Sequence, residues 1–229
     1  LSAVVPDETL VDFARWLHAS PSDGIVRSNW RPAIQRVASF EWTAAGGTLR
    51  YERSSAGNDD VAAFERFLPR LVPDRPFTFI NPRTRRSNTR RFPDPTNRSQ
   101  LIAALAFEFA NTGPVLMFCP QTNFAEACAK ALQTRIELAE LVEEAVPNYF
   151  TRRRYPCADV AASWLGDDDT VTQILRAGVG IHHGRLPDAV RRAVEDDFRA
   201  GRLRALAATN TLGQGVNLPV RTVLVHSVR

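Results

Sequence analysis

The sequence predicts an α/β fold in which a parallel sheet is covered by helices on both faces. From about residue 99 onward, short apolar runs alternate with longer stretches of helical periodicity. Each apolar run is almost wholly hydrophobic, which is typical of strands that are buried on both faces. The four predicted strands are residues 115–119, 179–182, 205–208 and 222–226.

Helical patterns separate these runs, as the strands of a parallel sheet require. In the last helical stretch, Val190, Val194 and Phe198 recur at a spacing of four residues and should form its buried face. The predicted helices are residues 123–144, 158–165, 170–177 and 188–199.

The first half of the chain is less regular. Residues 7–17 have the apolar spacing of a helix, and residues 31–42 and 48–52 predict the two strands of a β-hairpin, with a break at Gly46 and Gly47. A further helix is predicted at residues 59–68. Residues 69–95 are rich in proline and arginine and contain only one short strand-like stretch, 77–80, so we expect this region to be the most mobile.

The composition indicates a folded cytoplasmic protein. With 229 residues, 44% of them hydrophobic and 24% charged, the chain can bury one large core. No apolar run reaches about 18 residues and no secretory signal opens the chain, so we expect neither a membrane partner nor export. Three cysteines are an odd number in apolar surroundings, which favours reduced thiols that pack in the core.

Positive charge is carried almost entirely by arginine, because Lys130 is the only lysine. The excess of 29 basic over 25 acidic side chains is by itself a weak argument for a polyanionic partner. Clustered arginines can hold phosphates bidentately. The alternative, which we favour for individual arginines, is solvated surface in the Ala- and Arg-rich composition of a GC-rich bacterial genome. The clusters are Arg83, Arg85, Arg86, Arg90, Arg91 and Arg98, and residues 152–154.

Common catalytic signatures are missing from these 229 residues: GxxxxGK[ST], GxSxG, HExxH and CxxC. His182 and His183 suggest a metal site, but neighbouring residues of a strand point to opposite faces, so we expect none. Any chemistry should therefore be shared with residues outside this segment.

The most specific pattern lies in residues 178–225. A strand ends in HHGRLP, a helix follows with the pattern RxxVExxFRxG, and the next strand leads into ATNTLGQGVNLP at residues 208–219. This order resembles the second RecA-like lobe of superfamily 2 helicases of the DEAD/DEAH group, especially its DExH branch. The helix pattern is supplied by Arg191, Val194, Glu195, Phe198, Arg199 and Gly201.

Two other segments are similar to the same family. PVLMFCP at residues 114–120 resembles motif IV, and LSAV at residues 1–4 resembles motif III, with Val4 where the family usually has threonine. The resemblance implies three parts: residues 1–20 as the tail of the first RecA-like lobe, 21–112 as a linker with the β-hairpin, and 113–229 as an incomplete second lobe. This lobe stops after motif V, which is the ATNTLGQGVNLP segment at residues 208–219.

The resemblance also implies roles for individual residues. Ser2 and Ala3 would couple hydrolysis to movement, and Gly215 and Asn217 would contact ATP. Thr209 and Thr211 follow a strand end, at the edge of a parallel sheet where ligands bind; the alternative is an ordinary capped turn. The residues implied to contact nucleic acid are Cys119, Gln121, Thr122, His183, Gly184, Arg185, Thr209, Asn210 and Thr211.

The function implied is that of an ATP-dependent nucleic-acid helicase or translocase. This lobe would contact the backbone of DNA or RNA and close on ATP and Mg²⁺ bound to the first RecA-like lobe of the same chain. We expect no catalytic residue, no metal ligand and no tightly bound cofactor in this segment, and no ATP hydrolysis by it alone. One alternative is a non-catalytic docking module for nucleic acid or protein. Another, an unrelated doubly wound nucleotide-binding enzyme, would need a glycine-rich turn where PQTN follows residue 119.

Overall fold

The computed structural model describes residues 37–43, 46–51, 67–72, 76–81, 83–147, 150, 154–213 and 218–227. The predicted helix at residues 7–17 lies outside these residues. The predicted boundaries at residues 20 and 112 stay predictions.

The first described strands form a three-stranded antiparallel sheet in the order β1-β2-β3. Strands β1 and β2 are the predicted β-hairpin, with Ala38 opposite Tyr51 and Thr43 opposite Gly46. The predicted break at the two glycines is wrong, because both belong to β2. Gly47 lacks a side chain where the ring of Phe40 packs against the backbone. The bounds are β1 Ala38–Thr43, β2 Gly46–Tyr51 and β3 Phe67–Val72.

A second antiparallel pair follows, formed by β4 (Pro76–Ile80) and β5 (Ser87–Arg91). The prediction that residues 69–95 contain one short strand is therefore wrong, since parts of three strands lie there. Strand β5 reads SNTRR and has no apolar residue, so periodicity could not indicate it. The predicted helix at residues 59–68 is wrong at its end, because Leu68 belongs to β3 and pairs with Leu49 of β2. Residues 59–66 lie outside the described part.

The third sheet has four parallel strands in the order β7-β8-β6-β9. Every residue of β7 and of β8 is buried. Because successive side chains of a strand point to opposite faces, both faces of these two strands are covered. The predicted α/β fold is thus confirmed. The bounds are β6 Val115–Phe118, β7 Val179–His182, β8 Ala205–Ala208 and β9 Thr222–Val225.

Five helices accompany this sheet in the described part, and the last four agree with the predicted helices to within three residues. Asn97 caps the first by accepting a hydrogen bond from Gln100 N at 3.2 Å. Val190, Val194 and Phe198 are fully buried in the last, as their spacing predicts. The helices are α1 Arg98–Ala110, α2 Thr122–Leu141, α3 Pro156–Leu165, α4 Thr170–Arg176 and α5 Asp188–Arg199.

One buried carboxylate joins two of these helices. Asp197, near the end of α5, is 1% exposed and accepts hydrogen bonds from the backbone N of Cys157 at 3.0 Å and from Arg202 Nε at 2.8 Å. Cys157 lies in the first turn of α3, so Asp197 satisfies an amide that the helix itself leaves free. All three cysteines are free and buried, which confirms that they pack in the core. No helix in the described ranges combines the length and the hydropathy needed to cross a membrane.

Candidate nucleic-acid interface

The candidate residues follow three parallel strands whose carboxyl ends meet at one edge of the sheet. His182 and Phe118 both align with Ala208, the last residue of the central strand β8. The backbone continues this alignment beyond the strands. Cys119 N donates to Ala208 O at 2.8 Å, and Thr209 N donates to His182 O at 3.2 Å. The structure therefore brings the loops after β6, β7 and β8 together, and we call this surface the carboxyl edge.

A short turn after β8 presents polar groups at this edge. Residues Asn210–Gly213 form one 3-10 turn, closed by a hydrogen bond from Leu212 N to Thr209 O at 3.2 Å. The Oγ1 atoms of Thr209 and Thr211 lie 3.1 Å apart. Thr209 is only 5% exposed, whereas Asn210 and Thr211 are exposed. The turn thus offers to a ligand outside the amide side chain of Asn210 and the hydroxyl of Thr211, which is hydrogen-bonded to the buried hydroxyl of Thr209.

The loop after β7 lies beside this turn. A Cβ atom placed on Gly184 would be 3.6 Å from Thr211 Cγ2, so the two loops approach closely with room for little more than a methyl group. Arg185 follows and is exposed. Within the described ranges, no carboxylate lies within 4.0 Å of its guanidinium. Arg185 therefore places at the carboxyl edge an exposed positive charge that no described carboxylate neutralises.

His183 is a buried part of the same loop, with 2% of its surface exposed. Burial lowers the pKa of His183 below its ordinary 6.5, and the carboxylate of Glu126, 3.4 Å from Nε2, opposes this shift in part. Both ring nitrogens lack a hydrogen-bond partner within the described residues. The ring is therefore neutral near pH 7 and closed off from solvent.

The start of α2 supplies backbone donors to the edge. This helix begins at Thr122, directly after β6, and no acidic residue lies in its first turn. The first amides of a helix have no partner within the helix and carry a partial positive charge, which suits phosphate oxygens. Gln121 is exposed at the N-cap position and makes no capping hydrogen bond with its side chain, and Thr122 is half-buried. Both residues can thus contribute donors where a phosphate would approach.

Cys119 differs from the other candidates because its thiol is completely buried. Its Sγ atom lies 3.7 Å from Sγ of Cys128, and the pKa of the Cys119 thiol is raised by that contact and by burial. A neutral, buried thiol cannot reach a ligand at the edge. We therefore leave the side chain of Cys119 out of the interface.

Sequence reasoning missed three residues that support this edge. Glu126 faces His183, Glu195 Oε1 lies 2.8 Å from His182 Nε2, and His226 follows β9 at the same edge. The ring of His226 stacks on Phe124 with centroids 4.6 Å apart. Burial, and then the charge of Arg98, lower the pKa of His226. For Glu195 a signal existed, since a histidine that ends a buried strand needs a polar partner.

Four other candidates, Ser2, Ala3, Gly215 and Asn217, lie outside the described residues, so their implied roles stay predictions. In the part of the chain that is described, no group of three or more His, Cys, Asp or Glu side chains could hold a metal ion.

Comparison with known proteins finds a helicase domain in the part of the chain that carries the loops after β7 and β8. The family of the helicase conserved C-terminal domain matches residues 150–228. Along its whole length the chain is 28% identical to the Hachiman protein HamB of Bacillus cereus and 26% identical to the DExH-box ATP-dependent RNA helicase DExH9 of Arabidopsis thaliana, covering 19% and 23% of those proteins. Over 61 residues, 27% of this chain, it is 48% identical to the ATP-dependent DNA helicase Hel308 of Caldivirga maquilingensis, of which it covers 8%.

The chain thus spans about a quarter or less of the length of these relatives. The matched residues 150–228 include α3 to β9, and with them the loops after β7 and β8. The family match and the parallel sheet together show the RecA-like fold of a helicase C-terminal domain, and the relatives show that the chain is similar to superfamily 2 helicases of the DExH branch.

Proposed function

We propose that this lobe is one half of an ATP-dependent motor that moves along, or separates, the strands of a nucleic acid. The observation that supports this most strongly is the carboxyl edge, where the Thr209–Thr211 hydroxyl pair lies beside the Gly184 loop. Ligands of open α/β sheets bind at this end of the strands.

The nucleic-acid backbone is the ligand that these groups fit. Exposed hydroxyl or amide donors are offered by Thr211, Asn210 and Gln121, and Arg185 offers an exposed guanidinium. Hydroxyls, amides, arginine and helix N-termini are the groups that usually contact phosphate and sugar, and such contacts carry no sequence information. A motor that travels over any sequence needs contacts of this kind.

ATP would bind between this lobe and the first RecA-like lobe of the same polypeptide. We assign Gly215 and Asn217 to contacts with that ATP, because they follow directly on the Thr209 turn and match the family motif. Hydrolysis of ATP would supply the free energy for movement. Mg²⁺ would accompany ATP on the first lobe, and we assign no residue of this chain to the metal.

The backbone contacts at the edge explain how a change near ATP could reach the nucleic acid. Thr209 N is held by His182 O, and Cys119 N by Ala208 O. The loops after β6, β7 and β8 are therefore joined and should move as one unit when the lobe rotates. Rotation of one lobe against the other would then shift all phosphate contacts together.

The test is ATP hydrolysis by the whole gene product that contains these residues, with and without single-stranded RNA or DNA. Arg185→Gln should raise the nucleic-acid concentration needed for half-maximal stimulation about tenfold, as expected from the loss of about 1.4 kcal/mol in a charged hydrogen bond. Turnover without nucleic acid should not change. The matched control is Arg176→Gln, since Arg176 ends the helix that precedes β7 and pairs with Asp167. A wild-type enzyme that neither RNA nor DNA stimulates would contradict the proposal.

A second measurement separates the motor from the alternative of a docking module. If the whole gene product binds nucleic acid but shows no ATP turnover, the lobe serves as a non-catalytic module. The 229 residues alone should give no turnover in a phosphate-release assay, because their sequence lacks the phosphate-binding loop. Stimulated turnover from these residues alone would show that catalysis does not need the first lobe.

A further inference from the structure

We infer that the β4–β5 hairpin, residues 76–91, is a second binding surface for nucleic-acid phosphates, separate from the carboxyl edge. We call it the arginine hairpin. The inference rests on the proposed function, which supplies a nucleic acid as partner, and it adds a surface that the motif residues do not include.

The first reason is the concentration of charge. Residues 76–91 contain five arginines and neither aspartate nor glutamate. The whole chain has a formal net charge of +4, so the rest of the chain is slightly acidic without this hairpin. A strongly positive segment in a chain that is otherwise close to neutral is the electrostatic pattern of a phosphate-binding surface.

The second reason is that no carboxylate of the described residues neutralises four of these charges. Arginines elsewhere on the surface pair with aspartates, as Arg154 does with Asp159 and Arg192 with Asp188. Four arginines of the hairpin are exposed and have no carboxylate within 4.0 Å among the described residues. Their mutual repulsion would be relieved by a polyanion. These four are Arg83, Arg85, Arg86 and Arg90.

The third reason is that the turn between the two strands has a fixed shape. The side chain of Asn81 accepts hydrogen bonds from Arg83 N at 2.9 Å and Thr84 N at 3.1 Å. Its backbone O accepts from Arg85 N at 2.8 Å, and its N donates to Arg86 O at 2.9 Å. Arg85 has a φ of 55°, a conformation that costs a residue with a Cβ atom about 1 kcal/mol or more and favours glycine or asparagine. An arginine held at such a position presents its guanidinium at the tip of the hairpin.

The fourth reason is that one face of the hairpin is packed and the other is open. Phe77 is 5% exposed, and the guanidinium of Arg135 lies 5.1 Å from its ring centroid. On the opposite face, the hydroxyls of Thr78 and Thr89 lie 3.1 Å apart and are exposed. The open face thus carries hydroxyls, and the exposed Arg83, Arg85 and Arg86 lie in the turn that joins the two strands, whereas Arg90 stands opposite Phe77 on the other face. Hydroxyls and arginines are the usual donors to phosphate.

A protein partner fits this surface less well. Protein interfaces are typically built around buried apolar or aromatic side chains. Among the residues on the open face of the two strands, only Ile80 is a large apolar side chain, with 61% of its surface exposed. The surface therefore matches a charged backbone better than another protein.

The hairpin lies well away from the carboxyl edge. It contacts α2 at Arg135, which is thirteen residues along the helix from Thr122 at the edge. At 1.5 Å per residue, that spacing is about 20 Å along the helix axis. The hairpin would thus hold a part of the strand, or of a flanking duplex, that is several nucleotides away from the motor contacts.

The test measures how salt weakens binding of the whole gene product to a fluorescein-labelled 30-nucleotide oligo(dT) or oligo(U), by anisotropy without ATP. Each phosphate contact contributes about 0.7 to the slope of log K against log[KCl] for a single strand. The variant R83Q/R85Q/R86Q/R90Q should lower the magnitude of that slope by up to about 3. The control R154Q/R176Q/R192Q/R199Q removes the same charge from arginines paired with aspartates and should lower it by less than about 1.

A third variant, with lysine at the same four hairpin positions, should keep most of the slope because counterion release follows charge. Equal thermal melting of the variants by circular dichroism shows that folding is unchanged. If the glutamine variant has the same salt dependence as the control variant, the inference is overturned, and an acidic protein becomes the partner that the arginine hairpin fits. Stimulated ATP turnover would still support the motor in that case. If the slope falls as expected but no ATP turnover is stimulated, the motor fails and the arginine hairpin stands.

Discussion

The Nε2 atom of His182 lies 2.8 Å from Oε1 of Glu195, and this contact joins the last residue of the buried strand β7 to the middle of helix α5. His182 is 1% exposed, and its other ring nitrogen has no partner among the described residues. The backbone O of His182 also accepts the hydrogen bond from Thr209. Glu195 therefore supports the part of the edge that holds the threonine turn.

Removal of this carboxylate should destabilise the lobe. Glu195→Ala leaves the imidazole of His182 without a partner in the core and should lower the free energy of unfolding by about 1 to 3 kcal/mol. Glu195→Gln keeps a hydrogen-bond acceptor for His182 and should lower the free energy of unfolding by less than about 1 kcal/mol. Urea unfolding measures both. The control is Asp196→Ala on the same helix, where an exposed pair with Arg199 should contribute less than about 0.5 kcal/mol; equal losses for the two alanine variants would refute the role of Glu195.

Acidification should weaken the fold through His183. Because burial lowers its pKa in the folded chain below the ordinary value of 6.5, the unfolded chain binds more protons between the two pKa values. The free energy of unfolding should therefore be constant above about pH 7 and fall as the pH decreases through 6.5, by at most about 1.4 kcal/mol per pH unit for this group. His226, whose pKa burial also lowers, should act in the same direction.

Urea unfolding between pH 7.5 and 5.5 checks this expectation. His183→Asn cannot titrate in this range and should reduce the slope of stability against pH, and His226→Asn should reduce it further. Carboxylates titrate mostly below about pH 5, so they contribute little to this window. An unchanged slope in the His183 variant would show that the ring is not kept neutral by burial.

The sequence indicated the parallel sheet well and the arginine hairpin poorly, for physical reasons. Strands β7 and β8 are buried on both faces, so nearly every residue is apolar and the run itself predicts a strand. Strand β5 contains only polar residues, and its conformation depends on pairing with β4 and on the turn that Asn81 closes. Such a strand has no hydrophobic periodicity to detect. From the sequence alone, the exposed arginines of the hairpin therefore indicate only ordinary solvated surface.

The candidate site was predicted in part for the same kind of reason. Thr209 and Thr211 could be placed because they follow a recognisable strand, and parallel strands end at a common edge. Cys119 was included from its motif position, but packing against Cys128 buries its thiol. Glu126 was missed because it contacts His183 from another element, across more than fifty residues of sequence. Contacts of this kind depend on the tertiary fold and leave no local pattern.

The position of the arginine hairpin should depend on Arg135. The guanidinium of Arg135 lies 3.9 Å from the ring centroid of Phe107, near Phe77 of the hairpin, and donates to Glu144 at 2.9 Å. Arg135→Met should lower the free energy of unfolding by about 1 to 3 kcal/mol. This is less than the loss expected when a fully buried ion pair is broken, because Glu144 can be hydrated. Backbone amide hydrogen exchange in β4 and β5 should become faster in this variant. Lys130→Met, an exposed change on the same helix, should leave exchange in the hairpin unchanged, and equal exchange in both variants would refute the contact.

An added methyl group should change stability by very different amounts at two glycines of the β7 region. At Gly180, in the buried strand, a Cβ atom would lie 2.8 Å from Leu206 Cδ1 and 3.1 Å from Ala205 O, and the second of these is backbone that cannot move freely. Gly180→Ala should therefore lower the free energy of unfolding by about 1 to 3 kcal/mol through overpacking. At Gly184 the nearest atom is Thr211 Cγ2, at an ordinary contact distance of 3.6 Å.

Gly184→Ala should therefore change stability by less than about 0.5 kcal/mol, as is usual for a surface substitution away from packed features. It places a methyl group between the two loops that we assign to phosphate contact, so any effect should occur in nucleic-acid binding. Urea unfolding and oligonucleotide anisotropy on both variants measure the two quantities. A large loss of stability in the Gly184 variant would mean that the loops are packed more tightly than the structure shows, whereas a neutral Gly180 variant would mean that β7 can shift away from β8.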